Sequence, residues 1–180
     1  VGAVAHDEGE QAQVVLPDEA VEVDRRGGAR VGLHVGDLVA RGEERREVAE
    51  ACGELADYGA QHKINIICEN HGGPSSNPDA LIALMKAVGK PNFGTLPDFG
   101  NFPKKKQGEY QNDIYEAIAR MMPYAKGVSA KSYNFGADGR ETMLDFARIL
   151  KIVTDAGYSG HVGIEYEGSR LSEPEGIKAT

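Results

Sequence analysis

The sequence predicts an α/β fold of parallel strands alternating with helices, and three observations predict it. Apolar stretches suited to buried strands begin near residues 64, 93, 127 and 161, at intervals of 29, 34 and 34 residues. Amphipathic segments bounded by capping residues lie between them. Each strand-like stretch ends on polar or charged side chains: Glu69, then Asp98, then Ser129 with Lys131, then Glu165 with Glu167. Parallel strands need crossovers of about this length, so the period fits repeated β/α units. A doubly wound sheet and a (β/α)8 barrel share that period, and spacing alone leaves both open.

In chain order, Val48, Cys52, Leu55 and Tyr58 recur at helical spacing and predict a helix over about 43–62. A strand over 64–69 follows. Asn77 and Pro78 are suited to the N-cap and first turn of a helix whose apolar stripe is Leu81, Leu84, Met85 and Val88, with Gly89 ending it. A strand over about 93–97 leads into "PDFGNF". Ile114, Ala117, Ile118 and Met121 mark a helix stopped by Pro123, and 127–132 is a third strand. A helix over 141–156 is expected to turn Leu144, Ala147, Leu150 and Val153 inward and to end at Gly157. The fourth strand is 161–166, and a further helix begins as the sequence ends at Thr180.

With 180 residues the chain can bury one sizeable core. Its 41% apolar and 27% charged residues read as a globular protein, and no apolar run has the length of a membrane span. A net charge of −8 argues against a nucleic-acid surface, which needs basic residues to meet phosphates. The basic run Lys104, Lys105, Lys106 reads as a solvated loop. Cys52 and Cys68 are too few for a disulfide framework, and Cys68 reads as a small core residue. No signal peptide is visible in a sequence that opens on Val1; localisation stays open, with the cytoplasm favoured.

Residues 1–51 stand apart. They use ten residue types only, all with codons that can begin with G or C, and contain no Ile, Lys, Ser, Thr or aromatic residue. All ten lysines lie beyond position 60, whereas six of ten arginines lie before position 47. A disordered tail would favour Ser and Lys. Translation one base out of frame from a GC-rich gene accounts for the bias better. The segment 1–45 is therefore expected to be anomalous, irregular or a poorly packed helix, with no functional residue, and 46–180 to form the domain.

Several carboxylates gathered at one sheet end repel unless a cation or protons compensate. Oxygen-rich clusters suit Mg²⁺ or Mn²⁺, and Zn²⁺ or Co²⁺ if imidazole joins them. At "ICENHGG", "LPDFGNF", "GVSAKSYNF" and "GHVGIEYEG" the chain resembles the sugar phosphate isomerase/epimerase family with the xylose-isomerase-like barrel. The resemblance covers about 46–180 and implies the C-terminal half of a (β/α)8 TIM barrel, with four parallel strands. It implies a divalent metal (Mn, Mg, Co or Zn) held by Glu69, Asp98 and Glu165. Ser129 stands where the family usually has a His ligand, and Asn101 where many members have a second His. The implied activity is isomerisation or epimerisation of a sugar, sugar phosphate or related polyol through an enediolate. Glu69 and Glu165 would move the proton, while His71 and Lys131 would bind substrate. An exposed salt bridge is the alternative for Lys131.

The expected partner is a small carbohydrate, with neither nucleic acid nor membrane, and a full-length protein is compatible with a homo-oligomer. Rival readings are a non-catalytic carbohydrate-binding member and, less well supported, a zinc-dependent apurinic endonuclease-like phosphodiesterase. A half-barrel leaves open edges, so the chain alone is expected to be inactive and prone to association.

Overall fold

Valine recurs through the first third of the chain, and a β-branched side chain favours extended backbone. The computed structural model describes residues 46–105 and 109–180 in full; before Arg46 it describes the backbone of five strands and the first turn of a helix. Strands β1 (Ala5–Glu8), β2 (Gln11–Leu16), β3 (Glu19–Val21) and β4 (Val23–Asp24) pair antiparallel, with β2 central. Strand β5 (Arg30–Leu33) pairs antiparallel with β4 and parallel with β6 (Asn65–Glu69). The sequence reading expects irregular chain or a helix there; the strands replace that expectation for these stretches.

Helix α1 (Gly42–Gln61) precedes β6. The β/α units then run α2 (Pro78–Val88), β7 (Phe93–Leu96), α3 (Ile114–Met121), β8 (Val128–Ser132), α4 (Phe146–Asp155), β9 (Val162–Tyr166) and α5 (Glu173–Ala179). Strands β6 and β7 pair parallel, as do β8 and β9. Parallel bridges Thr95↔Ala125 and Asp98↔Ser129 join the two pairs. The result is part of a (β/α)8 barrel.

Local signals fix the helices. Asn77 caps α2 by accepting from Asp79 N at 2.9 Å, and Gly89 closes it in the left-handed conformation at φ 62°. Asp113 caps α3, accepting from Tyr115 and Glu116 backbone amides. The buried face of α1 is Val48, Cys52 and Ala56; Tyr58, expected inward, is exposed and lies against His62 at 4.6 Å. Gly59 lets α1 approach the strand that follows, since a Cβ there would meet Ile64 O and Ile66 Cδ1 at 3.0 Å.

Helix α4 starts at Phe146 rather than near 141. The Glu141 carboxylate accepts backbone N–H bonds from Tyr133, Asn134, Met143 and Leu144, which holds 141–145 as a loop, and Asp145 becomes the N-cap. The inward residues are then Leu144, Ile149 and Val153, while Leu150 and Ala147 face solvent, contrary to the sequence reading. Ile149 and Val153 are one helical turn apart and define the face; Leu150 sits about 100° round from it.

The core lies between the helices and β6, β7 and β8. Ile66, Leu81, Phe99, Ile118, Met121 and Ile149 are fully buried, each worth roughly 1.5–3 kcal/mol. Cys52 and Cys68 are buried and form no disulfide.

Candidate metal centre at the strand ends

Beyond the ends of β6 and β7 side chains take over from the backbone ladder. Asn70 is completely buried. Its Oδ1 accepts from Asp98 N at 2.7 Å, and its Nδ2 donates to Asp98 O at 3.1 Å. This paired contact sets the backbone of Asp98. The Asp98 carboxylate is fixed in turn, because Oδ1 accepts from Gly100 N at 2.9 Å and Asn101 N at 2.8 Å. Its other oxygen, Oδ2, is buried with no hydrogen-bond partner. An orphaned carboxylate oxygen in the interior is costly unless a cation or proton meets it. Burial pushes the Asp98 carboxyl up to about 6, against the opposing pull of the Ser129 hydroxyl and the Lys131 charge.

Glu69 lies at the end of β6, and burial followed by the Glu165 charge raises its carboxyl above the ordinary range. His71, Lys131 and Asn101 act against that rise. Asn101 connects two parts of the site: its Nδ2 donates to Glu69 Oε1 at 2.7 Å, and its Oδ1 accepts from Lys131 Nζ at 2.9 Å. The ammonium of Lys131 also pairs with Glu165 at 3.0 Å and Glu167 at 2.9 Å. The Lys131 side chain is 0% exposed, against 44% for Glu165 and 48% for Glu167, so an exposed salt bridge is not its role. Burial depresses its charged form, but the Glu167 hydrogen bond and the Asp98 and Glu165 charges outweigh that and hold it above the usual lysine range. The Ser129 hydroxyl donates to Glu165 Oε2 at 3.3 Å.

Glu69, Asp98 and Glu165 each offer an oxygen, and the three oxygens lie within 4.8 Å of one another. Oxygen–metal bonds of about 2.0–2.6 Å let one cation reach all three. The residues present therefore fit a hard divalent cation: three carboxylates that converge from the ends of β6, β7 and β9, with one Asp98 oxygen buried and without a hydrogen-bond partner. His71, named in the sequence reading as a substrate contact, is exposed and outside this trio, with its backbone N donating to Ser75 Oγ at 3.0 Å. Lys104, read as part of a solvated loop, is half-buried over the ring of Tyr133. Asn70 and Glu141 were missed by sequence reasoning; Asn70 at least adjoins Glu69 in the quoted motif, whereas Glu141 gives no signal.

The family described as xylose isomerase-like TIM barrel matches residues 4–180. A xylose isomerase-like TIM barrel protein from Mycobacterium smegmatis, solved in complex with magnesium, is similar at TM-score 0.57 and 22% identity, over 77% of this chain and 48% of that one. D-allulose 3-epimerase from Methylomonas sp. is similar at TM-score 0.58 and 21% identity, over 80% and 49%. The C-glycoside deglycosidase alpha subunit of Microbacterium trichothecenolyticum is 26% identical over 147 residues, 78% of this chain and 37% of that protein. The chain thus spans about half the length of these structures and less of that curated relative. Likeness at these identities concerns the fold, and the match through all but the first three residues places this chain in the xylose isomerase-like TIM barrel family.

Proposed function

We propose that this chain carries half of the active site of a divalent metal-dependent isomerase or epimerase acting on a sugar or related polyol. The convergence of Glu69, Asp98 and Glu165 beside the buried Lys131 carries this reading. Those three residues would hold the cation, which supplies Lewis acidity toward a substrate carbonyl oxygen when bound. The chain's own groups would divide the remaining work. Glu69, its carboxyl raised by burial and by Glu165, is suited to hold and return a proton. Glu165 takes the proton from the carbon beside the carbonyl, giving an enediolate, and Ser129 and Lys131 orient it. Lys131 donates to Glu165, Glu167 and Asn101 and so holds these groups in place around the substrate position. Asn101 keeps the Lys131 and Glu69 side chains in register.

Titration of the chain with Mn²⁺ tests the metal half of the proposal. One site is expected, lost in Asp98→Asn, and an unaltered titration in that variant would overturn it. Transfer of a carbon-bound hydrogen of a ketohexose to deuterated solvent, followed by NMR in the full-length protein, tests the proton half. Glu165→Gln should abolish exchange while changing stability by less than about 1 kcal/mol, because Glu165 is nearly half exposed.

A non-catalytic carbohydrate-binding role is the second reading. It is favoured by Ser129 and Asn101 standing at the imidazole positions and by the Lys131 ammonium, which already compensates part of the carboxylate charge. Metal-independent sugar binding with no solvent exchange would select it.

A further inference from the structure

Lys131 is saturated: two carboxylates and an amide oxygen surround its ammonium. A second cation, Lys104, stands at the rim of the same site under different conditions. Its Nζ lies 4.1 Å from the ring centroid of Tyr133 and 5.2 Å from that of Tyr110. Both rings are themselves fixed. Tyr133 Oη donates to Gly100 O at 3.2 Å and Tyr110 Oη to the same carbonyl at 3.4 Å, while Phe102 meets Tyr110 edge-on. Gly100 permits this, because a Cβ there would stand 2.6 Å from Tyr133 Oη. Backbone pairing of Lys104 with Tyr110 completes the clamp.

The neighbouring acids are already engaged. Glu167 pairs with Lys131, and Glu141 accepts four backbone amides. No carboxylate among the described residues forms an ion pair with Lys104. The rings that carry Lys104 both bond the carbonyl of Gly100, whose amide donates to Asp98 Oδ1, so the ammonium stands beside the site, where the charges of Glu167, Lys131 and Glu141 act on it. Aromatic faces attract an ammonium without neutralising it. A cation held in one place, partly desolvated and lacking a carboxylate contact, is preorganised for an anionic group brought by a ligand.

Resting on the sugar-enzyme reading above, we infer that Lys104, clamped by Tyr133 and Tyr110, selects a substrate bearing an anionic substituent, phosphate or carboxylate, over a neutral sugar. The substituent lies at the β7–β8 rim, and the sugar carbons extend toward Glu69 and Glu165. Lys104 is a specificity-determining residue and takes no part in the proton transfer.

Calorimetric titration of the full-length protein with D-fructose, D-fructose 6-phosphate and D-fructuronate tests this. At least one anionic ketose is expected to bind about tenfold or more tightly than D-fructose, and whichever does identifies phosphate or carboxylate as the group read. Lys104→Gln should bring that ratio close to one, and Lys104→Arg should preserve it, since arginine keeps both the charge and the aromatic contact. The ratio in the unaltered protein should also shrink as salt rises. Equal affinity for neutral and anionic ketoses, or a ratio untouched by Lys104→Gln, overturns the inference and leaves the sugar reading standing. Failure of all three ketoses to bind overturns both.

Discussion

Strands β8 and β9 pair along their whole length, from Val128↔Val162 to Ser132↔Tyr166, yet their surroundings differ completely. Every residue of β8 is buried, whereas Val162, Gly163 and Ile164 of β9 are exposed. The alternation in "VGIEY" is no poorer than that in "VSAKS". What differs is the neighbourhood: β8 is bridged toward β7 and backed by helices, while among the described strands β9 pairs with β8 alone. Burial is thus conferred by neighbours, and the two sides of the site inherit the contrast. Lys131 projects from the enclosed strand and Glu165 from the open one, so Lys131 and Ser129 hold Glu165 in place more than its own strand does.

The sharpest way to break this comparison is Lys131→Met. Removing the buried cation strips Asp98, Glu165 and Glu167 of their common partner, and the loss should be about 3 kcal/mol or more in urea unfolding. A loss no larger than that of a surface ion pair would show that β8 does not anchor the site.

The next effect is a pH dependence. Asp98 ionises only at about 6 in the metal-free fold, against an ordinary 3.8, so the fold disfavours its charged form. The native state then binds more protons than the unfolded chain between those values, and stability should rise as pH falls from 7 toward 4. A shift of this size is worth on the order of 3 kcal/mol when fully expressed. Subtracting the profile of Asp98→Asn isolates it; parallel profiles would remove Asp98 as the cause.

Asn70→Ala should cost about 1–3 kcal/mol, because it leaves the buried amide and carbonyl of Asp98 unpaired. It should also weaken Mn²⁺ binding, a change that a purely structural residue far from the site would not produce. Ile164→Thr on the open strand gives the smallest change, within about 0.5 kcal/mol by thermal unfolding. A large loss there would mean that β9 is enclosed in solution.

Much of the fold from 46 onward was legible because each element carries its own signal. Asn77, Gly89 and Gly157 mark helix ends, and the stripes of α2 and α3 were read residue for residue. The carboxylates were legible because they stand at corresponding strand ends. What escaped depends on partners far away in sequence. Asn70 acts on a backbone 28 positions on, Lys131 joins carboxylates 34 and 36 positions later, and Lys104 lies over the Tyr133 ring 29 positions on. Leu150 was misread because the Glu141 loop delays α4, which no periodicity announces.

That loop has a dynamic consequence. Four amide protons, those of Tyr133, Asn134, Met143 and Leu144, all end on one side chain. Their exchange with solvent is therefore governed by a single event, the departure of the Glu141 carboxylate, and not by four separate local openings. The segment after β8 and the entry to α4 should gain and lose protection as a set, so that Glu141 acts as the latch of one cooperative unit lying against the rim where Tyr133 carries Lys104.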